Sequence, residues 1–285
     1  MRIVRIRPTD VLTAAAAVVI SAANCLAWGG ANARFESGSP TMVFGVPMPS
    51  DGGIREDVPG RLKTKFEKWK AELLATEFGR QQWDTYANNK HFVLNIKVTS
   101  ERGKGAGTDK FEWDSDGNFV GATITLGTEL DEGFPGPVYY PVLNAMSPDH
   151  DAMPLSSTII AAAKLAHELG HVDQTSKMSE KVVDLQSKLI PQYVEIFLKN
   201  GRNAGDDRLI EMQNKMGGTP TGIWEDREYW SEVGTARYLS ERLTDDQDEL
   251  CRVLKKTKQN LADYAPSFEA RFNERPELAS LACWN

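Results

Sequence analysis

Hydrophobic residues change their spacing along the chain, and the change divides it into a front half with strands and a back half of helices. Apolar residues recur at helical spacing from Leu62 to Leu73 and the pattern fades at residues 88–89, which predicts helix over this stretch. Residues 91–99 alternate between apolar and polar and are rich in β-branched side chains, which predicts a strand.

A β-hairpin is predicted farther along the chain. Residues 111–113, Phe-Glu-Trp, and the mostly apolar residues 119–126 flank the turn sequence Asp-Ser-Asp-Gly-Asn. Asp114, Asp116 and Asn118 also resemble the opening of a calcium-binding loop. No bidentate glutamate follows at the spacing that such a loop requires, so the pattern favours a turn.

Glycine and proline mark two segments that are expected to lack regular structure. Residues 34–60 are rich in Gly, Pro and Ser and predict an extended lead-in, and residues 127–154 contain five prolines and predict an irregular wall. Helical spacing resumes afterwards, and it predicts helices at residues 156–175, 179–200, 206–216, 222–243 and 245–264.

Together these elements predict an α+β fold. A helix and a small antiparallel or mixed sheet are expected in residues 61–154, followed by a helical subdomain in residues 155–285. The 285-residue chain is 41% hydrophobic and 26% charged, which allows a sizeable core. Its net charge of −7 argues against a nucleic-acid partner or an anionic membrane surface.

The amino terminus has the three-part layout of a secretory signal. Three arginines precede an apolar run at residues 11–23, and cleavage after Ala27 or after Ala33 would satisfy the small-x-small rule. The run is short for a membrane span of ~20 residues, which argues against an uncleaved anchor. We therefore expect a signal peptide in residues 1–33 and a secreted or periplasmic protein without integral membrane association after cleavage.

Cleavage at either position would leave two cysteines, Cys251 and Cys283. In an oxidising compartment such a pair favours a disulfide, with two unrelated thiols as the alternative. The bridge would tie the end of the chain to the last predicted helix.

The strongest chemical signal is His-Glu-Leu-Gly-His at residues 167–171, inside the predicted helix at residues 156–175. A spacing of four residues puts His167 and His171 on one helical face, where their nitrogens can converge on one zinc ion. Glu168 points to a different side of the same turn, where it can take a proton from water as the catalytic base. Two buried imidazoles without a partner would be costly in this alanine-rich helix.

A third metal ligand must come from elsewhere in the chain. A continuation His-x-x-Gly-x-x-His is excluded, because Gln174 and Lys177 occupy the positions that it requires. Carboxylates on the later helix at residues 222–243 are the alternative, and Glu228 and Glu232 share one face of that helix.

These features resemble the gluzincins, zinc peptidases that combine HExxH with a glutamate from a second helix. Residues 227–232, Arg-Glu-Tyr-Trp-Ser-Glu, are similar to the Arg-Glu-Tyr-x-Ala-Asp string of the heat-shock/CAAX-type peptidases, although Ser231 replaces Ala and Glu232 replaces Asp. The resemblance implies a zincin-like fold with Glu228 as third ligand. Glu232 then stands where the family has an Asp that orients a ligating His. The two departures leave Glu232 open as an alternative ligand.

The resemblance also implies a reaction and a way of binding substrate. Gluzincins hold a peptide along an edge strand beside the active-site helix, and we assign that position to residues 119–126. Tyr229 borders the expected ligand and is a candidate donor to the reaction oxyanion.

The expected function is a secreted zinc metalloendopeptidase acting on peptides or proteins. A zincin-like binding protein without peptidase activity, a zinc amidase for cell-wall peptides and a helical export protein with a fortuitous HExxH are the alternatives.

Overall fold

A computed structural model describes residues 41–134, 141–146, 155–176, 220–264 and 283–284. Within these ranges the side chains of residues 42, 44, 220–229 and 262–264 are outside the description. The predicted signal peptide at residues 1–33 and the predicted helices at residues 179–200 and 206–216 lie outside the described residues.

The chain has a mixed α/β architecture with a five-stranded mixed sheet, in the order β1-β4-β5-β3-β2. Neighbouring strands are parallel except for β4 and β5, which are antiparallel. The strands are β1 (Thr41–Val46), β2 (Gly53–Asp57), β3 (Val93–Thr99), β4 (Ala106–Asp114) and β5 (Phe119–Gly127).

The predicted hairpin is confirmed as the β4–β5 pair. In its turn, Asp114 Oδ1 accepts hydrogen bonds from the backbone N–H groups of Asp116, at 2.9 Å, and of Asn118, at 2.8 Å. Asn118 Nδ2 donates to the other Asp114 oxygen at 2.9 Å. These contacts are those of a carboxylate that closes a turn.

The prediction that residues 119–126 form an edge strand is wrong. This segment is β5, which lies between β4 and β3 in the centre of the sheet. Its nearly continuous apolar run is typical of a strand with neighbours on both sides and buried faces. In the described sheet the edge positions belong to β1 and β2.

Part of the segment predicted to be an extended lead-in, residues 34–60, belongs to the sheet. Its described residues supply β1, which pairs with β4, and β2, which pairs with β3. Gly53 has a φ of +119°, a conformation that favours glycine, and begins β2. Glycines in this segment therefore separate short strands instead of preventing them.

The predicted first helical segment is two helices, α1 (Lys63–Leu74) and α2 (Glu77–Ala87). Thr76 Oγ1 accepts a hydrogen bond from the backbone N–H of Gly79 at 3.0 Å, which caps the start of α2. A side chain at Gly79 would collide with the backbone of Leu73, so glycine permits the tight connection.

The back half contains the helices α3 (Pro141–Ala145), α4 (described over residues 157–176), α5 (Pro220–Arg242) and α6 (Gln247–Tyr264). The short helix α3 lies in the segment that was predicted to be an irregular wall. Among the described residues, none of these helices has both the length and the apolar character needed to cross a membrane.

One hydrophobic core joins the sheet to the helices. Apolar residues on one face of β3 and β5 are buried together with α1, α2 and the back-half helices. Cys251 of α6 and Cys283 lie at disulfide distance, with Cα atoms 5.0 Å apart, as the sequence predicted.

Helices α4 and α5 approach closely at Gly170. A Cβ atom at this position would lie 2.6 Å from Ser231 Cα and 3.2 Å from the carbonyl oxygen of Trp230. The contact is therefore between backbones, and it brings the middle of α5 against the HExxH segment. Gly234 on α5 has more room, because its nearest neighbours would lie 3.5 Å from a Cβ atom.

We expect Gly170→Ala to lower the free energy of unfolding by about 1–3 kcal/mol, because the helices must move apart to admit a methyl group. Gly234→Ala is the control, since it brings the same gain in helix propensity of up to about 1 kcal/mol without a collision. Urea unfolding of both variants measures the difference. Equal stability of the two variants would contradict the close contact.

Candidate functional site

Helix α4 brings His167, Glu168 and His171 into the interior. Their relative exposures are 3%, 6% and 8%, so all three polar side chains are buried. The two imidazole centroids are 5.0 Å apart with ring planes at 85°. The i, i+4 spacing has therefore placed both rings side by side on the same helical face.

Glu232 of α5 lies against His167. Its Oε1 atom is 3.2 Å from His167 Nδ1, and the glutamate is fully buried. Its Oε2 atom accepts a hydrogen bond from the backbone N–H of Val142 in α3. A carboxylate at Nδ1 favours the tautomer with the hydrogen on Nδ1, which gives Nε2 the lone pair that a metal needs.

Helix α6 fixes the short helix that holds Glu232. Asn260 Nδ2 donates to the carbonyl oxygen of Pro141 and to Asn144 Oδ1, both at 2.9 Å. Arg252 Nη1 donates to the carbonyl oxygen of Ala145 at 3.3 Å. The position of the Val142 N–H therefore depends on α6 as well as on α3.

Glu168 contacts the sheet through Thr108 of β4. Thr108 Oγ1 lies 2.8 Å from Glu168 Oε2 and 3.2 Å from the backbone carbonyl oxygen of Glu168. Thr108 itself is buried, with 8% relative exposure. The candidate base is thus linked to a strand residue that the sequence analysis did not select.

Asp173 connects the end of the motif to α2. Its carboxylate accepts hydrogen bonds from Gln82 Nε2 at 3.0 Å and from the Tyr86 hydroxyl at 2.6 Å. Burial raises the pKa of Tyr86, and the negative charge of Asp173 raises it further. The Tyr86 hydroxyl therefore stays protonated and keeps donating to Asp173 over the ordinary pH range.

Lys164 lies one turn before the motif and is also buried. Its Nζ atom donates to the carbonyl oxygens of Lys104 and Leu130, both at 2.8 Å, and to that of Gly133. Desolvation lowers the pKa of Lys164 to about 7, against the attraction of Asp131. The Lys164 side chain therefore holds two loops against α4.

Two predicted site residues, Glu228 and Tyr229, lie in the part of α5 whose side chains are outside the description. Glu232 is the candidate carboxylate whose contacts are described, and it lies at Nδ1 of His167.

Metal sites in proteins commonly have an imidazole whose other nitrogen is held by a carboxylate, and His167 and Glu232 have this arrangement. Among the described side chains no group of three or more His, Cys, Asp or Glu residues has metal-site geometry. In a zinc site His167 and His171 would supply two donors, and Glu228, whose side chain lies outside the description, is the expected third.

No local sequence pattern pointed to four of the residues described above: Thr108, Val142, Asp173 and Lys164. Thr108 follows a glycine-rich turn like many strand threonines, and Val142 acts through its backbone. Asp173 and Lys164 lie within the helix that carries the motif, but their partners are far away in sequence. Only the tertiary contacts identify the roles of these four residues.

Comparison of the chain with protein-family models, curated proteins and solved structures gave no match.

Exchanging single carboxylates should separate a zinc ligand from a residue that orients one. We expect Glu232→Gln to weaken zinc binding about 10- to 100-fold, because His167 loses the charge that orients it. Glu228→Gln should abolish stoichiometric zinc binding, because it removes a ligand. Competition with a chromogenic chelator measures both affinities. Reversed results would make Glu232 the ligand.

Lys164 should make stability depend on pH. Its pKa falls from 10.5 in the unfolded chain to about 7 in the folded one, so between these values only the unfolded chain holds the proton. Wild-type stability should therefore rise with pH in this window by about 1.4 kcal/mol per unit relative to Lys164→Met. It should fall as the pH drops from 10.5 towards about 7 and stay level below that, because both states then hold the proton.

Urea unfolding across this window, with the exposed Lys68→Met variant as control, measures that slope. Parallel curves for wild type and Lys164→Met would mean that the three carbonyl oxygens keep the folded lysine charged.

Proposed function

We propose that the chain is a secreted or periplasmic zinc metallopeptidase with a zincin-like site. The observation that carries this proposal is the pair of buried histidines on α4, one of which has a glutamate carboxylate at Nδ1. Two imidazoles on one helical face, one of them beside a buried carboxylate that can orient it, form an arrangement that is common at metal sites in proteins.

His167, through Nε2, and His171 would hold the zinc ion together with Glu228, the ligand that the family resemblance implies. When bound, zinc supplies Lewis acidity and makes a water molecule acidic enough to lose a proton near neutral pH. Glu232 and Val142 keep the His167 ring oriented for binding.

Glu168 moves the proton in the proposed reaction. Its carboxylate accepts a proton from the attacking water, whose oxygen bonds to the peptide carbonyl carbon. When the carbon–nitrogen bond breaks, the same carboxyl returns a proton to the departing amine nitrogen. Tyr229 remains the proposed donor to the oxyanion, from its place beside Glu228 in the sequence.

The substrate-binding strand in this proposal is β4 instead of β5. The described part of β1 pairs with β4 only from Lys110 onward, so among the described residues 106–109 have a strand neighbour on one side. Thr108, which contacts Glu168, lies in this stretch. A peptide that adds here by main-chain hydrogen bonds would pass beside the base.

Export from the cytoplasm supports a proteolytic role outside it. The sequence predicts a signal peptide, and the disulfide distance between Cys251 and Cys283 suits an oxidising compartment. A cell-wall amidase or a zincin-like binding protein would share the site and the compartment, so activity must separate them.

Glu168→Gln is the decisive variant. Protein purified without chelators should contain about one zinc ion per chain and cleave unfolded casein. Glu168→Gln should lose at least about 100-fold in kcat while retaining its zinc, because the amide cannot accept a proton. Glu101→Gln, an exposed glutamate, serves as control. Metal analysis and peptide-release assays provide the measurements.

Other results would change the proposed activity or contradict the proposal. Cleavage of cell-wall fragments without cleavage of casein would identify an amidase, and zinc binding without either activity would identify a binding protein. A chain without zinc, with a melting temperature that a chelator leaves unchanged, would show that the HExxH string is fortuitous.

A further inference from the structure

We infer that Thr108 is a positioning residue that fixes the orientation of the Glu168 carboxylate. The inference rests on the proposed peptidase function, because it assigns Glu168 the role of base. The Thr108 side chain would act through Glu168, and its hydroxyl would touch neither substrate nor metal.

The hydrogen bond itself has a preferred acceptor. A hydroxyl has one hydrogen to donate, and Thr108 Oγ1 is closer to Glu168 Oε2, at 2.8 Å, than to the Glu168 carbonyl oxygen, at 3.2 Å. The carboxylate is also the charged acceptor, which strengthens the bond. We therefore assign the hydrogen to Oε2.

An irregularity in β4 turns Thr108 toward α4. In the β4–β5 ladder, Thr108 is opposite Ile124 and Phe111 is opposite Ala122, with the register shift between Thr108 and Lys110. Ile124 and Ala122 are two residues apart and share a face, so their partners share it too. Thr108 and Phe111 are three residues apart, so on a regular strand their side chains would face opposite sides of the sheet. The extra residue of a β-bulge between them places both side chains on the same side.

A second hydrogen bond fixes the position of the start of β4 along helix α4. Lys164 Nζ donates to the carbonyl oxygen of Lys104, and Thr108 donates to Glu168. In both hydrogen bonds the partners are 60 positions apart in the chain. Lys104 precedes Thr108 by four residues, and Lys164 likewise precedes Glu168 by four residues. The strand therefore cannot slide along the helix without breaking both hydrogen bonds.

Fixing Oε2 restricts rotation of the carboxylate about its last bond. Both carboxylate oxygens then keep their positions relative to the strand. A base whose oxygen is held in place reacts from fewer conformations, so its loss should lower kcat more than it changes KM.

The test compares Thr108→Val with Thr108→Ser. Valine keeps the shape and removes the hydroxyl, whereas serine restores it. We expect Thr108→Val to lose roughly 10- to 100-fold in kcat with KM and zinc content unchanged, and Thr108→Ser to recover most of this loss. Thr123→Val, a buried threonine on the neighbouring strand, should keep wild-type kcat.

A second measurement needs neither zinc nor activity. Thr108→Val, Glu168→Ala and the double variant form a cycle whose urea midpoints are compared in metal-free protein. If the hydrogen bond exists, the two midpoint shifts should not add, because either substitution removes the same bond.

The outcomes separate this inference from the proposed function. Loss of activity in Glu168→Gln with normal kcat in Thr108→Val would overturn the positioning role alone, as would additive midpoints. Equal losses in Thr108→Val and Thr108→Ser would also overturn it, since the hydroxyl would then be irrelevant. Normal activity in Glu168→Gln would remove the proposed function itself.

Discussion

The backbones of α4 and α5 meet at Gly170, and the rest of the candidate site depends on this contact. A side chain at this position would collide with Ser231, so only glycine permits the observed separation. The close approach brings Glu232, the next residue of α5, within 3.2 Å of His167. Gly170 occupies a variable position of HExxH, yet it decides whether a carboxylate can reach the histidine from a neighbouring helix.

Three carboxylates in this interior accept hydrogen bonds from three different elements. Glu232 takes a hydrogen bond from α3, Glu168 takes one from β4, and Asp173 takes two from α2. Each bond offsets part of the cost of burying a charge. The same bonds restrict the side chains that carry them, so the network that makes the polar interior tolerable also holds it rigid.

Local sequence patterns were sufficient where a structure depends on neighbours in the chain. The β4–β5 hairpin follows from a turn that Asp114 closes by itself, and the side-by-side imidazoles follow from helical spacing. Strand order follows from long-range pairing. The apolar run of β5 indicates a central strand, but the pairing of β1 with β4 had no local signal. Thr108 and Lys164 each form a hydrogen bond with a residue 60 positions away in the chain. The spacing of hydrophobic residues cannot predict such a contact.

The hydrogen bond from Val142 to Glu232 has a consequence for how this site varies between proteins. Its donor is a main-chain amide, which every amino acid except proline possesses. Selection can therefore act at position 142 against proline and against poorly packing side chains, but it leaves no characteristic residue behind. A main-chain group that orients Glu232, and through it His167, would be invisible to any comparison of side-chain identity, and only backbone geometry would disclose it.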